Sequence, residues 1–120
     1  MICKKSLVLD KSYAFSIRIV NAYKFLVSNS EYVLSKQLLR SGTAIGALCA
    51  ESKNAQSKAD FLNIINIALK EANETEYWLR LLKDTTYLDQ NQFVSLYSDC
   101  DELVKMLTSI VKTTKKSIEK

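Results

Sequence analysis

Apolar residues recur every three or four positions from Ser12 to Ile118, the period that lines one face of an α-helix. Nothing punctuates the run strongly, since the chain of 120 residues has no proline and only two glycines. Polar clusters divide it into four helices. The first is predicted over Asp10–Ser28 with Asp10 as N-cap, and Ser28-Asn29-Ser30-Glu31 breaks it. The second runs over Tyr32–Lys53 and ends at the connector Asn54-Ala55-Gln56. Ser57-x-x-Asp60 then has the spacing of a capping pair and opens a third helix to about Thr85. Asp89 caps a fourth from Gln90 to about Lys116, where Lys112, Lys115 and Lys116 suit the negative pole of the helix dipole. Connectors this short force neighbours antiparallel, so the fold class is all-α, an up-down-up-down four-helix bundle forming a single domain over 1–120.

The faces differ in kind. On the fourth helix one stripe, from Phe93, Leu96 and Cys100 to Leu107, Val111 and Ile118, satisfies one partner surface. The second helix reads as two-sided. Leu34, Leu38, Ser41, Ile45, Leu48 and Ser52 form one face, and Leu39, Gly42, Thr43, Gly46, Ala47 and Ala50 form the other. Small residues at this spacing admit another backbone, and we expect a subunit contact there; a helix buried centrally in its own bundle would look the same. The third helix points Phe61, Ile65, Ala68, Ala72, Thr75 and Leu79 inward and carries Ile67, Trp78 and Leu81 away from that line, beside Glu71 and Glu74. Trp78 on an acidic outer face has the character of an interface anchor. On the first helix Tyr13, Ile17, Val20, Lys24 and Val27 are expected on the inner line. That much apolar surface predicts a homo-oligomer.

Charge is uneven along the chain. Residues 1–50 hold seven Lys/Arg against two acids, residues 51–102 five against ten, and residues 103–120 five against one. The pattern fits a solvated mixed surface or a basic surface that attracts RNA or another polyanion. Candidate contacts are Lys4, Lys5, Lys11, Arg18, Lys36 and Arg40, with Lys112, Lys115 and Lys116 at the other end of the chain. No stretch nears the about 18 apolar residues of a membrane span, and no signal peptide is read at the start. Cys3, Cys49 and Cys100 are too few for a disulfide scaffold, and the last two fall on core stripes, as expected in a reducing cytoplasm.

Catalytic chemistry is hard to assemble from this alphabet. Without histidine there is no Glu-x-x-His di-iron set, no Ser-His or Cys-His pair and no Arg/His ribonuclease. Gly42-x-x-x-Gly46 lies mid-helix and lacks the Lys-Ser/Thr ending of a phosphate loop, and the cysteine spacing does not suit zinc. The chain is therefore expected not to be an enzyme and to need no metal or cofactor.

Three segments carry a resemblance: Lys11 to Lys24; Leu34 to Ala47, with its Arg40-Ser41 and small-residue helix; and Ser57-Lys-Ala-Asp-Phe61 through Ala68-Leu69 to Glu74-Thr-Glu-Tyr-Trp-Leu79. Together they resemble the proteins of the 23S rRNA intervening sequence, also called S23 ribosomal proteins. The resemblance implies an antiparallel bundle assembled as a ring-like homopentamer, without enzymatic activity. A related accessory protein of diversity-generating retroelements binds a reverse transcriptase and nucleic acid through a basic surface. The family pattern Ala-Asn-Ile-Ala-Glu-Gly reads Ala47-Leu48-Cys49-Ala50-Glu51-Ser52 here, so its Asn and Gly are lost. Arg40 and Glu51 match the family pattern, and polar roles at a subunit boundary are expected of them. A protein-interaction scaffold without a nucleic-acid role is the other reading.

Overall fold

The computed structural model describes residues 4–119, with side chains described from Leu7 onward. Among these residues the chain forms four helices and no strand: α1 (Lys4–Ser28), α2 (Leu34–Ser52), α3 (Lys58–Asp84) and α4 (Gln90–Glu119). Consecutive helices pack against one another, and α1 closes on α4 along the thinnest of the four seams. The bundle extends 51 × 25 × 21 Å.

Helix ends follow local chemistry. Ser57 Oγ accepts the Asp60 N–H at 3.0 Å while Asp60 Oδ2 accepts the Gln56 N–H, also at 3.0 Å, so α3 is capped as its sequence predicts. At α4 the exchange is reciprocal: Asp89 Oδ1 accepts the Gln92 N–H at 2.7 Å and Gln92 Oε1 accepts the Asp89 N–H at 2.9 Å. Entry to α2 uses a device the sequence reading missed. Glu31, only 6% exposed, turns its carboxylate onto the first turn and accepts the N–H groups of Val33, Leu34 and Ser35 at 3.2, 2.8 and 2.5 Å. Burial alone would raise this carboxyl; the hydrogen bonds from Leu34, Ser35 and Val33 outweigh it and hold the group below its ordinary value.

The shared core contains Phe15, Ile19 and Leu26 of α1, Leu38 and Ile45 of α2, Ile65 and Leu79 of α3, and Leu103 and Leu107 of α4. Two expectations are corrected. First, α1 already runs from Lys4, ahead of Asp10, which is exposed on a helix that carries buried Val8 two residues earlier. Second, the inner line of α1 is Val8, Ser12, Phe15, Ile19, Ala22 and Leu26. Tyr13 and Ile17 point outward at 70% and 50% exposure, and Lys24 is exposed beside them.

Candidate nucleic-acid interface and subunit face

Small residues of α2 serve the interior of this bundle. A Cβ on Gly42 would lie 2.8 Å from both Cγ1 and Cγ2 of Ile19, and one on Gly46 would lie 2.8 Å from Ser16 Oγ and 3.1 Å from the Ser12 carbonyl oxygen. Gly42 and Gly46 therefore let α1 approach α2 closely within one chain. The expectation that these two glycines face another subunit is corrected on that ground. Leu39 and Thr43 are half-buried, while Ala47, Ala50 and Glu51 are exposed on the outside of α2. The two-sided helix is α1, whose Tyr13 and Ile17 stand outward one turn apart.

Three of the predicted cations are already engaged along the seams. Lys11 Nζ meets Glu102 Oε1 at 3.0 Å, and Arg18 bonds Asp99 Oδ2 at 2.6 Å and Ser95 Oγ at 2.7 Å, both across the α1–α4 seam. Arg40 reaches from α2 to α3, where it contacts Glu71 Oε1 at 3.2 Å and Glu74 Oε2. Glu74 Oε2 also accepts the Trp78 indole N–H at 2.9 Å. Trp78 is half-buried, with Tyr77 edge-on at a ring separation of 5.0 Å. Ile67 is exposed and Leu81 half-buried. The acids of the middle segment thus neutralise Lys11, Arg18 and Arg40 inside one chain, and each such exposed pair contributes only about 0–1 kcal/mol.

What is left is a cationic end. Helix order places the start of α1, the α2–α3 connector and the end of α4 together, a meeting fixed by Lys58 Nζ donating to Ser117 Oγ at 2.6 Å. Lys112, Lys115 and Lys116 are exposed there and form no ion pair among the described residues. Lys53 from the connector and Lys58 from the first position of α3, which sequence reasoning passed over, join them. They could have been found by noting that an even number of antiparallel helices returns every second connector to the same end. The side chains of Lys4 and Lys5, and all of Cys3, lie outside the described residues. Lys36 stands near the opposite end, since the 17 residues to Lys53 span roughly 25 Å of helix.

A groove of about 550 Å³ opens at this cationic end. Val8, Leu9, Phe61, Ile65 and Ile110 form its floor, and Lys53, Lys58, Gln56, Thr113 and Ser117 stand on its rim. Elsewhere, Cys49 and Cys100 are buried and their thiols are pushed up by burial, so neither is a poised nucleophile. Glu76, between α3 and α4, is raised by burial and by the nearby Asp101 carboxylate, and its Oε2 is buried without a hydrogen-bond partner. Among the described residues no group of three or more His, Cys, Asp or Glu is placed to hold a metal, and no helix is long and apolar enough to cross a membrane.

Fold and surface together define an antiparallel four-helix bundle with seam-paired flanks and one cationic end. The family model of the 23S rRNA-intervening sequence protein matches residues 4–109, and the chain belongs to that family. A crystal structure of a protein of unknown function from the S23 ribosomal protein family of Bacteroides thetaiotaomicron VPI-5482 is similar throughout. It is 57% identical in sequence, with a TM-score of 0.90, and the match covers 92% of this chain and 99% of that one. No curated protein matches the chain.

Proposed function

We propose that this protein is a non-enzymatic, homo-oligomeric bundle of the cytoplasm that binds RNA, bare or in a nucleoprotein, through its cationic end. The observation that carries this is the convergence of Lys53, Lys58, Lys112, Lys115 and Lys116 at one end of the bundle while Lys11, Arg18 and Arg40 are consumed in internal pairs. Among the described residues Glu51, Asp60 and Glu119, with exposed Asp10 on α1, are the acids towards that end, and the Asp60 carboxylate is occupied by the Gln56 N–H. Phosphates are the polyanion such an end suits. Self-association is assigned to the outer side of α1 and α2, which exposes Tyr13 and Ile17 on one helix and Ala47 and Ala50 on the other. A ring of five is the count that the family resemblance implies.

Salt-dependent binding to single-stranded RNA tests the reading. Changing Lys112, Lys115 and Lys116 together to Gln should weaken binding and reduce the slope of log affinity against log salt by about 2, since each lost phosphate contact removes roughly 0.7. A wild-type protein with no RNA affinity at low salt would leave the scaffold alternative standing. That alternative draws on exposed Tyr32, Val33 and Tyr87 at the opposite end, which suit a protein partner.

A further inference from the structure

The groove at the cationic end has a composition that phosphate binding alone does not require. Its floor is apolar, built from Val8, Leu9, Phe61, Ile65 and Ile110, and among the described residues the charged ones lining it are Lys53 and Lys58. Lys58 is held at the mouth by its 2.6 Å bond to Ser117 and keeps two further ammonium hydrogens for an anion. Gln56, Thr113 and Ser117 add neutral hydrogen-bonding groups around the rim. The volume of about 550 Å³ lies within the range of small-molecule sites, which combine apolar walls with a few polar groups.

We infer that this groove receives an unpaired nucleotide of bound RNA, with the base against the apolar floor and its phosphate between Lys53 and Lys58. The inference rests on the RNA-binding reading above and narrows it to single-stranded RNA with an accessible base. Charge complementarity selects the occupant. An anionic ligand with a flat apolar body matches cations beside an apolar floor, whereas a duplex keeps its bases stacked inside and presents only phosphates and groove edges. The groove opens at the end of the bundle, a different surface from the outer α1–α2 side assigned to self-association.

The test compares three probes on the full chain by fluorescence anisotropy: a short single-stranded RNA, the same backbone made abasic, and a blunt RNA duplex. The intact strand should bind about tenfold more tightly than the abasic one, the size expected from docking one base on an apolar surface. Ser117→Trp, placed to plug the mouth from the end of α4, should erase that preference. Lys58→Ala should weaken both single strands. Equal affinity for intact and abasic strands would overturn the inference while leaving phosphate binding intact, and so would a preference that survives Ser117→Trp. Failure of all three probes to bind would overturn the RNA reading itself, and this inference with it. Circular dichroism of Ser117→Trp separates a plugged groove from a misfolded chain.

Discussion

Glu31→Gln isolates the carboxylate that starts α2. In the native protein Oε1 accepts two backbone N–H groups and Oε2 a third, all at the positive pole of a 19-residue helix. Glutamine keeps an oxygen for one position but sets an NH2 group against the N–H of Ser35, which is itself fully buried. An unsatisfied buried donor costs about 1–3 kcal/mol, and loss of a charge at a partly buried helix start costs up to about 2 kcal/mol. Relief of the desolvated charge offsets part of this, so we expect a net loss of about 2–3 kcal/mol in urea unfolding at pH 7. Protein concentration must be fixed, because self-association would add to apparent stability. Acid supplies a second check. The folded carboxyl titrates below its ordinary value of 4.5, so its stabilisation is complete above that value and is lost as pH falls through the folded pKa. The gap between wild type and Glu31→Gln should therefore close in acid. A loss below about 0.5 kcal/mol at neutral pH, or a gap that persists unchanged in acid, would refute the capping argument.

Four further outcomes follow from named contacts. Gly42→Ala should cost about 1–2 kcal/mol despite the better helix propensity of alanine, because fully buried Ile19 has no room to yield; thermal unfolding checks this. Gly46→Glu should lower monomer stability along with any assembly, since its side chain would meet α1 of its own chain; unchanged stability with lost assembly would reverse our correction. Glu76→Gln should raise the urea midpoint at neutral pH. The native group is most compatible with folding when protonated, so the advantage grows as pH rises from about 4.5 through the raised folded value and vanishes below. Ile17→Glu should shift sedimentation to smaller species while leaving helicity intact, and an unchanged sedimentation profile would exclude the α1 face from assembly.

Periodicity carried the four helices, and the spacing Ser57-x-x-Asp60 and the single residue Asp89 carried two of their starts, because capping is decided within four residues. The rotation of α1 was not legible. It bears two apolar lines, Phe15–Ile19–Leu26 and Tyr13–Ile17–Val20, both at helical spacing, and only packing against α2 and α4 selects the first. Once that rotation is wrong, the small residues of α2 look unpartnered and are assigned to a subunit contact. The basic residues were legible as a total but not as a surface. Pairs such as Arg18 with Asp99 join positions about 80 apart in sequence, and no local pattern announces them. Glu31 escaped notice because a glutamate in a polar break usually means solvent, and here it means a helix start.

The thin α1–α4 seam has a kinetic consequence. The other three seams join helices consecutive in the chain, so each forms as a local hairpin with a small loop to close. The fourth joins residues 77 to 91 apart, through exposed contacts such as Arg18 with Ser95 and Lys11 with Glu102. Folding would then run as the rapid zipping of a three-hairpin sheet of helices, which curls shut last along this line. In native exchange the same line would be the first to part, with salt loosening it further while the hairpins stay closed.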